Sequence, residues 1–369
     1  MKAGRQARTS RKSLFLRFFS RQRRSGPALA VRLQADTMLR RSFPGSATSG
    51  VGDESPTAAV DIRLDEELTV RTARRFCCAV SEALTRARDP VRVHLETVKS
   101  VDPVGIAALL RAVRIAASLS VAISVLPSAA VYWALFAAGV LDDIPLVDHR
   151  ATPSELGPPV IPEPQVPEQE WLACTSRLGL RPPTWDELGL FERWAQDPLL
   201  DQMMGSELLY LCRHAGPYHP AFTARVFGDP VSLTVLVQPS DRASEPVGFI
   251  RLYNINLAER FGFLETAIVR PRPLKSSWGI EASRLFLAYA MDTLELDRVE
   301  SKVYAYNVLS ANALRRNGFR QEGVLRAARR YDGRRWDMLV FAILRDELVV
   351  QRARDGFPPM GLWPGDAHP

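Results

Sequence analysis

The sequence predicts an α/β chain built as two domains, and three observations predict it. Residues 57–150 alternate strand, helix, strand and helix, with an Asp-x-x-Gly step before the first of those helices. Residues 151–170 place Pro153, Pro158, Pro159, Pro162, Pro164 and Pro167 among Glu and Gln, the composition of an extended linker that keeps its neighbours apart. Residues 171–350 read as an antiparallel meander followed by helix, strand, helix and hairpin.

In the first block, Val91-Arg92-Val93-His94-Leu95 alternates apolar and polar residues and reads as a strand. Ile106, Leu109, Leu110 and Val113 recur at helical spacing. Residues 121–126 are an apolar, β-branched run, hence a buried strand. Pro127-Ser128 opens a second helix carrying Val131, Trp133, Leu135 and Phe136, and Gly139 stops it.

In the second block, Arg177 to Arg181 reads as a strand. Trp185-Asp186-Glu187-Leu188 starts a helix with Leu188, Leu190, Phe191 and Trp194 at its apolar positions, and Asp197-Pro198 ends it. Residues 203–228 are helical in part and irregular around His214 to Pro220. Strands follow at 232–238, 247–253 and 261–269, joined by short turns. A helix begins near Gly279 with Leu285, Phe286 and Tyr289 on one face, and Arg298 to Tyr306 is the next strand. Gly318 ends a further helix in left-handed conformation, and Phe319 anchors core. Asp332-Gly333 sits at the type I′ position of a hairpin whose return strand is Trp336 to Leu344.

The net charge of +7 invites a nucleic-acid partner. Ten Lys or Arg precede Asp36 with no acid among them, so the remainder is close to neutral and the charge describes a solvated leader rather than a binding patch. The leader has the Arg- and Ser-rich composition of a transit peptide; a disordered leader, or an upstream extension with Met38 as the start, explains it better. Cys77, Cys78, Cys174 and Cys212 have neither metal-type nor disulfide-framework spacing, which points to reduced thiols in a cytoplasmic protein. No apolar run is long enough to span a membrane.

The string Val101-Asp102-Pro103-Val104-Gly105-Ile106-Ala107-Ala108-Leu109-Leu110, with the ending Gly139-Val140-Leu141-Asp142-Asp143, resembles a STAS domain, the small domain of anti-sigma factor antagonists. In that family a phosphorylatable Ser or Thr follows the Asp. Here Pro103 and then Val104 follow, neither with a hydroxyl, so the phosphorylation switch cannot operate at this position. The domain is then either a docking surface for a protein partner or a packing and dimerisation module.

The string Arg298-Val299-Glu300-Ser301-Lys302-Val303-Tyr304-Ala305-Tyr306-Asn307-Val308-Leu309-Ser310, running on to Asn317-Gly318-Phe319-Arg320-Gln321-Glu322-Gly323, resembles the second half of a GCN5-related N-acetyltransferase (GNAT), of the kind that acetylates ribosomal-protein N-termini. The resemblance implies acetyl-CoA as co-substrate, no metal, and direct attack by a primary amine: a protein N-terminus, an amino sugar or a small amine. It also implies the boundaries 1–54 leader, 55–150 STAS-like domain, 151–172 linker, 173–350 GNAT-type mixed, mostly antiparallel sheet flanked by helices, and 351–369 tail.

Acetyl-CoA needs backbone N–H groups at a helix N-terminus for its pyrophosphate and an exposed strand edge for its pantetheine arm. The expected contacts are Ala267 and Val269 at the strand end, then Lys275, Ser277, Trp278, Gly279 and Ile280 in the loop and helix start. The family's loop is Arg/Gln-x-x-Gly-x-Gly/Ala; here Leu274 and Ser277 replace the first two key residues, and Pro271 and Pro273 remove two N–H groups. A plain strand-to-helix turn would read the same way.

By resemblance Asn307 holds the pantetheine arm and Ser310 protonates the leaving thiolate; as residues alone, Asn307 ends a strand and Ser310 caps a helix. The Tyr that many relatives use as acid is Leu314 here. Glu265, mid-strand among apolar neighbours, is the candidate base, or else a solvated residue of an alternating strand. Glu300 is a second candidate, and His214 and His219 are loop histidines on the acceptor side. Arg329, Arg330 and Tyr331 could line the acceptor pocket or be solvated. The alternative to an active enzyme is a regulatory protein whose first domain binds a partner while the second senses acyl-CoA or is inert.

Overall fold

The first block folds as the alternation predicts. Strands β1 (Val60–Arg63), β3 (Val91–Leu95) and β5 (Ile123–Pro127) form a parallel sheet in the order β1–β3–β5, with Val93 opposite Val125. Between them lie β2 (Glu67–Leu68) and β4 (Ser100–Val101), a short parallel pair, and helices α1 (Ala73–Arg86) and α2 (Pro103–Ser118), and α3 (Ala129–Ala137) follows β5. The Asp-x-x-Gly step has a physical reason at each end. One carboxylate oxygen of Asp102 accepts the Val104 and Gly105 N–H groups at 2.8 and 2.9 Å, capping α2, and the other accepts Val70 N–H at 2.7 Å. A Cβ on Gly105 would lie 1.9 Å from the Leu68 carbonyl oxygen, so no side chain fits there.

The second block contains β6 (Ala173–Cys174), β7 (Leu178–Arg181), α4 (Leu188–Ala195), α5 (Pro198–Met204), α6 (Glu207–Ala215), α7 (Pro220–Phe227), β8 (Leu233–Pro239), β9 (Gly248–Asn256), β10 (Phe261–Ile268), α8 (Trp278–Thr293), β11 (Arg298–Tyr304), α9 (Val308–Arg316), β12 (Arg320–Tyr331), β13 (Arg334–Leu344) and α10 (Arg345–Asp355). Its strands form one sheet in the order β12–β13–β11–β10–β9–β8–β7–β6, antiparallel throughout except at β10–β11. The Asp332-Gly333 turn has φ of 50° and 68°, as type I′ requires, and Gly318 has φ of 86°.

The computed structural model describes residues 60–65, 67–86, 90–147, 171–269, 277–358 and 360–363. The leader, the Pro-rich stretch 151–170, and Pro271, Pro273, Leu274 and Lys275 lie outside the described residues. Two boundaries move. Asp197-Pro198 ends α4 but also opens α5, because Asp197 accepts Leu199 N–H at 2.8 Å and Pro198 suits the first helical position. The expected tail at 351 begins inside α10, and Trp363 beyond it is 4% exposed, packed into the main core.

The two blocks are not held apart. Residues Thr57–Pro369 form one unit, and a single buried cluster runs from Phe76, Leu109 and Leu135 to Phe286, Leu296 and Phe341. Arg114 of α2 donates to Glu295 at 2.6 Å, and Arg71 donates to the Pro183 carbonyl. A small cavity is lined from one side by Arg71, Ser100 and Asp102 and from the other by Pro183, Phe227 and Thr234. The motif read as a docking surface therefore faces the chain's own second domain. A separate aromatic cluster of Phe191, Trp194, Phe222 and Phe249 fills the other face of the large sheet. No helix among the described residues is long and apolar enough to cross a membrane.

Candidate active site

The parallel pair β10–β11 holds register only at Phe261–Arg298, Gly262–Val299 and Phe263–Glu300. Beyond that point β10 continues against β9 to Ile268, and β11 continues against β13 to Tyr304. Two neighbouring strands that part while each keeps its outer partner leave a wedge with two backbone edges facing into it. At the bottom of the wedge the Ser301 hydroxyl donates to the Leu264 carbonyl at 3.1 Å.

The register also says which residues face the wedge. Val269 N–H donates to the Val247 carbonyl at 2.7 Å, one step past the Ile268–Gly248 pair. In an antiparallel ladder that phase turns the backbone groups of Ala267 and Val269 toward β9, and those of Leu264, Thr266 and Ile268 toward β11. The expected strand-edge contacts are thus displaced by one residue: the backbone that can pair with a pantetheine arm belongs to Thr266 and Ile268. Period-two structure makes a one-residue error an error of side, and single-strand patterning cannot fix the phase.

Glu265 lies on the face of β10 opposite to Thr266, whose hydroxyl meets Ser283 of α8 at 3.0 Å. The Glu265 side chain is half-buried, its Oε1 is shut from solvent, and that oxygen has no hydrogen-bond partner among the described residues. Burial pushes its carboxyl above the usual range, while the Ser206 hydroxyl and the charge of Arg251 pull it back. Arg251 sits directly across on β9, is 3% exposed, and donates to Ser232 Oγ at 2.8 Å. Tyr253, two residues along β9, is pushed up to about 12 by burial and then by Glu265. A desolvated carboxylate with an orphaned oxygen is a proton acceptor in waiting.

At the mouth of the wedge Asn307 caps α9: its Oδ1 accepts Ser310 N–H at 3.0 Å, and its Nδ2 donates to the Met203 carbonyl at 3.0 Å. The cap is Asn307 and Ser310 sits in the first turn, the reverse of the assignment from residue types alone. Asn307 is 3% exposed and ties α9 to the end of α5, whereas Ser310 is half-buried. Tyr306 makes the parallel tie, donating to the Gln202 carbonyl at 2.6 Å.

The N-terminus of α8 lies beyond the end of β10. Ser277, Trp278, Gly279 and Ile280 are its first residues, and a Cβ on Gly279 would fall 3.3 Å from Ile268 Cγ1, so glycine lets the helix start approach the strand end. Arg177 reaches this point from the β6–β7 turn, donating to Ser277 Oγ at 3.1 Å and pairing with Glu281 at 2.8 Å. Helix N–H groups with an adjacent guanidinium suit a pyrophosphate; the Glu281 carboxylate in the same turn, held also by Thr175 at 2.7 Å, opposes it. The wedge edge and the helix start thus fit the two ends of acetyl-CoA.

Other candidates have other occupations. Glu300 pairs with Arg298 at 2.9 Å. His214 is exposed with its ring tilted against Tyr210, and His219 Nδ1 accepts Ala221 N–H at 3.2 Å as the cap of α7. Arg330 is exposed. The sequence reading missed Ser206 and Arg177, because polar residues beside short helices and turns carry no periodic signal, and Arg251, because a single strand does not say which residue faces it across the ladder.

Residues 177–320 match the family model described as an acetyltransferase (GNAT) domain, and residues 51–148 match the one described as a Mlab, STAS domain. Among solved structures the chain is similar to spermidine N-acetyltransferase from Vibrio cholerae (18% identity, 47% of this chain and 99% of that one, TM-score 0.41). It is similar to RimL, a ribosomal L7/L12 alpha-N-protein acetyltransferase (14%, 48% and 99%, TM-score 0.42), and to RimJ of Mycobacterium smegmatis (21%, 48% and 89%, TM-score 0.37). At such identities and TM-scores they carry no argument about acceptor or cofactor. The domain that holds the wedge belongs to the GNAT acetyltransferase family, and the domain ahead of it to the STAS family.

Proposed function

We propose that the protein is an N-acetyltransferase that moves an acetyl group from acetyl-CoA to a primary amine by direct attack. The observation that carries this reading is the parting of β10 from β11 beside the orphaned Glu265 carboxylate. The pantetheine arm pairs with the Thr266 and Ile268 edge, and the pyrophosphate lies at Ser277, Trp278, Gly279 and Ile280 with Arg177. Lys275, two residues ahead of Ser277 in the sequence, is a further member of that set. Asn307 shapes the mouth by fixing α9, and Ala267 and Val269 act through the strand that presents the edge.

The amine nitrogen attacks the thioester carbon as its surplus proton passes to Glu265. The C–N bond forms, the C–S bond breaks, and Ser310 gives a proton to the leaving thiolate; solvent then returns a proton to Ser310 and takes the one held by Glu265, so no net proton is gained or lost. A backbone N–H of Thr266 or Ile268 holds the tetrahedral oxyanion. No metal enters the scheme. The STAS-like domain acts in cis, bracing α8 and the Pro182-Pro183 turn ahead of α4 rather than docking a separate partner through 101–110. The reading includes a cytoplasmic location.

Release of free CoA thiol from acetyl-CoA, dependent on added amine, tests the reaction. Ser310→Ala is expected to lower kcat by roughly 10²-fold while acetyl-CoA affinity changes little. An unaltered rate removes Ser310 as the acid.

A further inference from the structure

We propose that Arg329 is a specificity-determining residue that selects an acceptor carrying a carboxylate beside its amine; this rests on the acetyl-transfer reading above. Strand β12 loses register with β13 between Leu325 and Arg329, and Ala327 inside that bulge has φ of 53°. A left-handed conformation is unfavourable for a residue other than glycine. Asp337 holds the strained turn: its Oδ1 accepts Ala327 N–H at 2.8 Å, and its backbone carbonyl accepts Ala305 N–H at 2.9 Å, just past the end of β11. Bulges bend a strand and re-aim a side chain. The side chain re-aimed here is Arg329, whose guanidinium lies 4.7 Å over the ring of Tyr304 and 6.0 Å from that of Tyr331.

Tyr304 ends β11 on the face of the sheet that carries Glu265, and the charges of both Arg329 and Glu265 act on its hydroxyl. That hydroxyl oxygen lies 2.1 Å from where a Cβ on Gly205 would be, and the next residue, Ser206, is one whose hydroxyl acts on the Glu265 carboxyl. Arg329, Tyr304, Gly205, Ser206 and Glu265 therefore follow one another along a single wall, with the base at one end and the guanidinium at the other.

Arg329 Nε is buried and finds no acceptor among the described residues. The comparable arginines of this sheet are supplied: Arg251 has Ser232, and Arg298 has Glu300 and Glu322. A buried donor without a partner is unfavourable. Two separate costs, a strained backbone and an unanswered donor, fall on one planar fork facing the acceptor side. A carboxylate answers both the charge and the fork. The same guanidinium repels a polycation, so the acceptor it fits is amino-acid-like rather than a polyamine.

The test uses the full chain and acceptors paired by one group: phenylalanine with phenethylamine, glycylglycine with its amide, and spermidine as polycation. The parent is expected to favour the carboxylate member by 10-fold or more in kcat/KM. Arg329→Met, which keeps the stacked volume, should remove that preference by raising KM for the carboxylate member, and Arg329→Lys should restore part of it. Preference for phenylalanine over glycylglycine points to a free amino acid, and the reverse to a peptide. Equal use of both members, preference for spermidine, or a preference that survives in Arg329→Met overturns the proposal. Calorimetric binding of the same pairs to the CoA-loaded parent and Arg329→Met needs no turnover. Carboxylate-selective binding lost in the variant, without turnover, keeps Arg329's role while sinking acetyl transfer, and no binding of any carboxylate probe overturns it.

Discussion

Glu265→Gln is expected to lower kcat by roughly 10²–10⁴-fold while leaving the protein at least as stable as the parent above neutral pH. Both halves follow from one fact. Burial holds the Glu265 carboxyl above the usual range, which makes it a better proton acceptor and makes its ionised form costly to the fold. The sign is that of a raised carboxylate: its contribution to stability is present at low pH and is lost as pH rises through the folded-state value. Glutamine has similar shape and no charge, so it removes the base and the ionisation cost together. In the parent, kcat/KM should rise with pH along a limb lying above the ordinary Glu value of about 4.3. A variant that keeps its rate shows that Arg251, Tyr253 and Ser206 surround a carboxylate with no part in the chemistry.

Thermal stability is expected to rise as pH falls from about 8 to about 5, and Asp102→Asn is expected to flatten that rise. Asp102 is pushed up to about 7 by burial and by the charge of Glu67, against the pull of the Val70, Gly105 and Val104 N–H groups. The unfolded chain titrates near 3.9, so the difference amounts to up to ~4 kcal/mol, present at low pH and lost as pH climbs through about 7. Arg71 faces the same cavity, and the buried Tyr289 on α8 feels the Asp102 charge. The Ser100 and Thr234 hydroxyls, both 3% exposed, line the cavity without hydrogen-bond partners among the described residues. The titration therefore acts where the two domains meet, beside the helix whose start is assigned to the pyrophosphate. Parallel melting-temperature curves for parent and variant would mean that the three N–H groups keep Asp102 ionised throughout.

What the sequence made legible was whatever has a local cause. Asp102 with Gly105 signalled a capped helix under a close carbonyl, Asp332-Gly333 a type I′ turn, and Gly318-Phe319 a helix stop followed by core. Glu265 stood out because a carboxylate set mid-strand among apolar neighbours is costly to bury unless its chemistry is used. Features with distant causes stayed hidden. The choice between Ala267 and Thr266 as strand edge depends on ladder phase, set by a bond to Val247. The Asn307 cap depends on the Met203 carbonyl, far away in the chain. Trp363 and the shared core could not be read, because an apolar residue does not say which neighbour covers it. Arg329 looked like a solvated hairpin arginine, since the Ala327 bulge that aims it leaves no mark in residue type.

On this reading the wedge and the α8 N-terminus hold acetyl-CoA although Leu274 and Ser277 stand where the family has other residues. Calorimetric titration of acetyl-CoA into the full chain, with free CoA for comparison, is the decisive measurement. Binding of both is expected in the roughly micromolar range, near −8 kcal/mol. No heat of binding for either ligand would contradict it, and would leave the GNAT domain as a scaffold joined to its STAS-like neighbour.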